Sequence, residues 1–228
     1  MGSWMAYRWG LVAQWIGPYM ADLVHTPPPS ATAPSGKLTY EEFLAWVGDG
    51  TFAEWTSGQV IVMSPSSLPH QLIVIFLVRL LGEVVERGSL GVLLAAPFQM
   101  KMELSGREPD VLFIAKENLD RLKRNYLEGP ADLAIEVISP ESRVRDRGEK
   151  YYEYEHAGVR EYWLVDPDRK QAEFYGLGAN NIYQLLPIGP DGFFESVVLK
   201  GLRFRVDWLW QEPLPAVRNA LRESGQTG

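Results

Sequence analysis

From Leu38 onward, apolar positions recur in blocks whose spacing switches between helical and strand periods, with turn residues between the blocks. Thr39 and Glu42 form a capping box, in which hydroxyl and carboxylate reciprocally satisfy free N–H groups, and Phe43, Leu44 and Trp46 give the following short helix an apolar side. Asp49-Gly50 ends that helix. Residues 52–55 and 59–63 read as the strands of a hairpin around Ser57-Gly58. A Ser/Pro-rich loop leads into a helix over 70–87, where Ile73, Leu77, Leu80, Leu81 and Val84 keep helical spacing and Gly88 is the expected C-cap. Strands are expected at 92–94, 98–104, 110–114 and, after a charged excursion, 132–138. A helix over about 143–157 closes at Gly158, and strands over 161–165 and 171–175 turn through Asp166-Pro167-Asp168. Runs at 183–186 and 197–206 read as further antiparallel strands, with a short terminal helix starting at Pro213. The fold class is α+β: a mixed β-sheet with helices 70–87 and 143–157 over its faces.

The first 37 residues break the pattern. Trp4, Trp9, Trp15 and Ile16 precede a Pro/Ser/Ala-rich stretch, so 1–37 reads as an extension and linker ahead of one domain over 38–228. Arg8 and Asp22 interrupt its moderately apolar part, so no membrane anchor is expected there. The whole chain has 228 residues, 46% apolar and 22% charged, which suits one soluble domain and excludes a disordered, collagen-like or multi-span chain. The expected setting is the cytoplasm. With 22 basic and 29 acidic residues the net charge is −7, which opposes a broad grip on nucleic acid and leaves room only for a focused basic site. Cysteine is absent, so disulfides, thiolate nucleophiles and Cys-ligated metals are excluded, and any metal would take oxygen or histidine ligands.

Two acids stand where apolar residues belong. In the run 131–138, Leu133, Ile135 and Val137 face one way and Ala134, Glu136 and Ile138 the other, so Glu136 lies in the middle of a buried strand. Asp110 follows Glu108-Pro109 and opens the apolar run Val111-Leu112-Phe113-Ile114; Pro109 keeps Glu108 extended, so the acid enters the strand directly. A buried ionised carboxylate costs several kcal/mol unless it is paired, hydrogen-bonded or metal-bound. Core arginine pairs would account for either acid alone; two acids on adjoining strands suit a hard divalent cation such as Mg2+. Downstream, Arg143, Asp146, Arg147 and Lys150 open the helix that follows Ser139-Pro140. Asp146 and Lys150, four apart, are either an ordinary surface pair or the face that folds back over the Glu136 strand, where Lys150 would supply positive charge. His70, at the head of the long helix, either caps and packs or faces the same site. The tryptophans sit in no basic cluster and read as core rather than base-stacking platforms.

The series Glu54, Gly58, Met63-Ser64-Pro65, His70-Gln71, Pro109-Asp110-Val111, Ile135-Glu136-Val137-Ile138-Ser139-Pro140, Asp146 to Lys150 and Gly158 to Asp166 resembles the Uma2 family, over roughly residues 38–210. That family lies in the PD-(D/E)XK nuclease-like superfamily. The resemblance implies a restriction-endonuclease-like core and phosphodiester hydrolysis with Mg2+, or Mn2+ in its place. Asp110 and Glu136 take the positions of the motif's two acids, and Glu54 that of an early acid completing the metal shell. The motif's lysine would stand at 138, where this chain has Ile138, so Lys150 is nominated in its place, with Lys101 as rival. Implied partners are nucleic acid, DNA first, held in a groove of Arg121, Lys123, Arg124, Arg143, Arg145 and Arg147, and a second copy in a homodimer. The alternative is a catalytically inactive binding or assembly module on a nuclease fold.

Overall fold

The structure is a computed structural model and describes residues 34, 36–47, 52–63 and 66–225. The extension expected over 1–37 therefore lies almost wholly outside the described residues, as do Asp49-Gly50 and Ser64-Pro65. The capping box forms: Thr39 N donates to Glu42 Oε2 (2.7 Å) and Glu42 N to Thr39 Oγ1 (3.2 Å), opening α1, Tyr40–Val47. Strands β1, Ala53–Thr56, and β2, Gln59–Val62, pair antiparallel across Ser57-Gly58. Both turn residues have positive φ, 49° and 93°, as the tightest hairpin turn requires.

Helix α2, Leu68–Gly88, is capped by Ser67, whose hydroxyl accepts from His70 N. It is long and apolar enough to cross a membrane by length and composition alone, but Ile73, Leu77, Leu80, Leu81 and Val84 are buried on the sheet, as in a core helix. Gly88 is not its C-cap. The left-handed residue is Ser89 (φ 47°), while a Cβ on Gly88 would come within 2.8 Å of the Leu90 side chain. A larger residue at 88 would have to displace the Leu90 side chain, one residue before the chain turns.

Six strands make the main sheet, in the order β11-β10-β9-β8-β6-β3. They are β3, Gly91–Ala95; β6, Val111–Ala115; β8, Leu133–Val137; β9, Glu161–Asp166; β10, Gln171–Leu177; and β11, Tyr183–Leu185. Only the β8/β9 pair is parallel, its register running Leu133↔Glu161 to Val137↔Val165. As the alternation of β8 predicts, Leu133, Ile135 and Val137 pack with α2, and Ala134 and Ile138 pack on the other face with Tyr154 and Tyr162. That second face is covered by the segment after β8: α3, Arg143–Arg145, then a π-helical turn, Asp146–Lys150, then α4, Tyr151–Ala157, closed by Gly158 at φ 93°.

The expected strand over 98–104 is instead a reversal. Strands β4, Gln99–Lys101, and β5, Ser105–Arg107, pair antiparallel about a tip where Leu104 is 65% exposed. With β7, Tyr126–Glu128, they build a second sheet, β2-β1-β5-β4-β7. The expected strand over 197–206 is also corrected: β12, Phe193–Glu195, pairs with β13, Arg203–Arg205, around a loop. The N–H groups of Val197 and Val198 are spent on the buried Glu161 carboxylate, not on a ladder. The terminal helix α5, Val217–Glu223, starts after Pro213, because Pro215 keeps Leu214 extended.

Candidate active site

The sheet register brings the two strand acids together. One step beyond the antiparallel pair Val111↔Ile135 stand Asp110 and Glu136, and Val137 N donates to Asp110 Oδ2 (2.7 Å). Both acids line a cleft of about 510 Å³ that also receives His70, Glu108, Arg145 and Lys150. The cleft lies between the head of α2, the β1/β2 hairpin and the 139–150 segment.

Its floor is a buried ionic cluster. Lys150, 1% exposed, places Nζ 2.9 Å from Glu136 Oε1, 2.9 Å from Glu54 Oε1 and 3.4 Å from Asp146 Oδ1. Tyr154 OH donates to Glu136 Oε1 (2.8 Å), leaving Oε2 as the oxygen for the cleft. Tyr162 OH donates to the Asp146 carbonyl and seats the π turn on the sheet (3.0 Å). Glu54 is fully buried behind the lysine. Its oxygens take Lys150, Arg107 Nη1 (3.0 Å) and Glu108 N (3.3 Å), and it anchors Lys150 from behind the cleft lining. Arg107 is itself fully buried and bound to Glu54, Glu149 and Glu153. His70 faces the site with Nε2 3.3 Å from Asp110 Oδ2, while its buried Nδ1 has no partner among the described residues.

The charges do not cancel. Burial opposes ionisation of Glu54, yet Lys150 and Arg107 hold its carboxyl down at about 2. Burial would favour a neutral Lys150, but Glu136, Glu54 and Asp146 outweigh it and keep the ammonium protonated. Glu136 is driven upward by burial, against the pull of Lys150 and with Asp146, Asp110 and Glu54 adding to the rise. Glu108 rises to about 7, through burial first and Glu54 beyond that, despite a hydrogen bond from Gln99 (2.7 Å). His70 is raised as well: burial lowers it, but the Asp110 carboxylate prevails. Acids thus outnumber cations where water is scarce, and a proton or a further cation must make up the difference.

Among the described residues no three His, Asp or Glu side chains form a ready metal cage. The donor chemistry nevertheless fits a hard cation: Asp110 and Glu136 offer carboxylates to one cleft, and Mg2+ commonly takes one or two carboxylates with water and substrate phosphate completing its shell. Glu108 carries no sequence signal beyond its place ahead of Pro109; Arg107, whose partners lie 42 to 53 residues away, carries no local signal.

The groove of six cations does not form as expected. Arg121 is held by the Pro130 carbonyl and Asp132, Lys123 by Glu128, Arg143 by Asp166 and Asp168, and Arg147 by Glu173 and Asp166. Of the six only Arg145 lines the cleft. Lys101 lies over the rings of Tyr40 and Tyr126, 3.9 Å from Glu41, outside the cleft lining.

A crystal structure described as that of a putative nuclease belonging to DUF820, from Anabaena variabilis, superposes with a TM-score of 0.65 at 18% identity, over 76% of this chain and 97% of its own. At that identity the likeness establishes a shared fold, the mixed sheet flanked by helices described above. An uncharacterized protein of Synechocystis sp., slr1290, is 25% identical over 195 residues, 83% of this chain and 97% of its own length. The model of the Uma2 family, described as "Putative restriction endonuclease", matches residues 40–207, which include every acid and cation of the cleft, and the chain belongs to that family.

Proposed function

We propose that the protein is a Mg2+-dependent endonuclease that hydrolyses DNA phosphodiester bonds in this cleft. The observation that carries the reading is the convergence of Asp110 and Glu136 on one cleft above a buried lysine. Asp110 and Glu136 would hold the cation, which when bound polarises the scissile phosphate and lowers the pKa of an attacking water. His70 Nε2 and Val137 N both engage Asp110 Oδ2, which turns the other carboxylate oxygen to the cleft. Lys150 and Tyr154 do the same for Glu136, fixing Oε1. With three carboxylates around its three protons, Lys150 acts chiefly by holding Glu136 and keeping fixed positive charge beneath the reacting phosphate. Glu54 and Arg107 position Lys150 from behind. A homodimer in the cytoplasm would present two such clefts, one per strand; its mass in solution tests that part.

Supercoiled plasmid with Mg2+ or Mn2+ is the direct assay. Nicked and linear products are expected from the wild type, and a loss of about 10³-fold or more from Asp110→Ala and Glu136→Ala. Cutting that survives both substitutions removes these residues from the mechanism. The second reading, a non-cutting binding or assembly module, is favoured by the internal pairing of Arg121, Lys123, Arg143 and Arg147. Calorimetry separates the two: a wild type that takes up neither divalent cation nor DNA at low salt supports the module.

A further inference from the structure

Two cationic side chains line the cleft besides His70, and they differ in what they can still offer a ligand. Lys150 is saturated by Glu54, Glu136 and Asp146. Arg145 is not. Its nearest acid oxygen, Glu54 Oε2, is 3.7 Å from Nε, beyond hydrogen-bond reach, and Nε is buried without a hydrogen-bond partner among the described residues. Among the described residues its Nη2 has the soft sulfur of Met63, at 3.6 Å. Glu54 itself is already satisfied by Arg107 and Lys150, so it does not need Arg145.

Backbone geometry brings Arg145 there. Residues five apart on a regular α-helix point about 140° away from one another at 3.6 residues per turn. The widened turn Asp146–Lys150 shrinks that offset, so both side chains lie toward the Glu54 carboxylate, Lys150 bonded to Oε1 at 2.9 Å and Arg145 Nε standing off at 3.7 Å from Oε2. Such π turns are costly and concentrate at functional sites. Here the turn sets a saturated cation on the floor and an unsaturated one at the wall of a single cleft.

A phosphodiester entering this cleft brings one negative charge toward Glu108, Asp110, Glu136 and Glu141. A guanidinium with free donors offsets that repulsion and matches a phosphate's two non-bridging oxygens with its planar fork. We propose that Arg145 grips the scissile phosphate, its guanidinium donating to the non-bridging oxygens while Lys150 stays with the carboxylates. This rests on the phosphodiester-hydrolase reading above, and adds the residue that contacts substrate.

The test compares the full chain with Arg145→Ala, Arg145→Lys and, as a charge-matched control on the Glu128 pair, Lys123→Ala. Hydrolysis of a labelled DNA oligonucleotide is followed with Mg2+, and binding of the same oligonucleotide is followed by anisotropy in Ca2+ over a salt series. Arg145→Ala is expected to lower kcat by about 10²- to 10³-fold and to reduce the salt slope of binding by about one. Arg145→Lys should recover part of kcat, and Lys123→Ala should leave kcat unchanged. A folded Arg145→Ala protein that cuts at the wild-type rate with an unchanged salt slope overturns the role of Arg145 and leaves the nuclease reading standing. A wild type that neither cuts nor binds the oligonucleotide overturns both. Should the alanine variant not fold, the lysine variant decides: full kcat with full salt slope would mean that any cation at 145 serves and no fork is required.

Discussion

Glu136 and Glu161 stand on paired parallel strands and both are buried, yet they have opposite surroundings. Glu161 is met by neutral donors: Trp163 Nε1 (2.7 Å), Ser196 Oγ (2.8 Å), Val197 N (3.0 Å) and Val198 N (2.8 Å). Its oxygens are spent on tying the 196–199 loop to the sheet, and it is not among the residues that line the Asp110–Glu136 cleft. Among the described residues Glu136 is met by Lys150 and Tyr154, both on one oxygen, and its other side opens on the cleft. Burial therefore does not tell a fully bonded acid from one that still faces a cleft. What separates them is whether any oxygen is left without a protein donor.

The comparison can be broken at several points. Removing the cation has the largest expected effect: Lys150→Met leaves Glu54, Glu136 and Asp146 together without their ammonium, which should cost about 3–5 kcal/mol in urea unfolding and abolish cutting. A variant of wild-type stability would show that the cluster is not ionic. Glu136→Gln separates function from folding. Because burial already disfavours the charged form, the metal-free variant should be at least as stable as the wild type, while hydrolysis falls by about 10³-fold. A stability loss together with retained activity would place Glu136 with Glu161.

Stability against pH should show both kinds of acid in the metal-free protein. Glu54, held at about 2 against 4.5 in the unfolded chain, gives stability that is complete above 4.5 and disappears as pH falls through 2. Glu108 acts in reverse. It keeps its proton in the fold up to about 7 while the unfolded chain ionises from 4.5, so stability falls as pH rises across that window. Each limb is at most about 3 kcal/mol, from 1.36 kcal/mol per unit. Urea midpoints measured from pH 2 to 8 should fall on both sides of about 4.5, and Glu108→Gln should reduce the fall on the alkaline side by Glu108's share, leaving the part that Glu136 and His70 supply. The smallest effect belongs to Glu161→Gln, which keeps one acceptor and loses the charged partner of four donors: about 1–3 kcal/mol, with plasmid cutting unchanged. Lost cutting at full stability there would link the 196–199 loop to the cleft.

What the sequence discloses of this site follows the range of the interactions. The alternation of 131–138 places Glu136 correctly because side-chain facing is a two-residue property, and the Thr39/Glu42 cap is a three-residue one. The convergence of Asp110, Glu136 and Lys150 follows from strand pairing and helix docking, which patterning and family resemblance together anticipate. The basic groove fails because its arginines are neutralised from afar: Arg143 meets Asp166 and Arg147 meets Glu173, 23 and 26 residues on. Arg107 is invisible for the same reason. The 98–104 and 197–206 misreadings are local in origin, since alternation continues through a reversal at Leu104 and through N–H groups that Glu161 has captured.

The Lys150–Glu136 pair spans two separate elements, with its separation set by how α4 sits on the sheet through Tyr154 against Tyr162, ring centroids 5.0 Å apart. A nuclease lysine two residues after its acid shares the acid's strand and survives any loosening of the layers. Here the pair is a gauge of helix docking. An expanded, partly melted form that keeps its secondary structure would already have parted acid from ammonium, so heat inactivation should coincide with loss of the tyrosine near-ultraviolet signal and precede loss of helix.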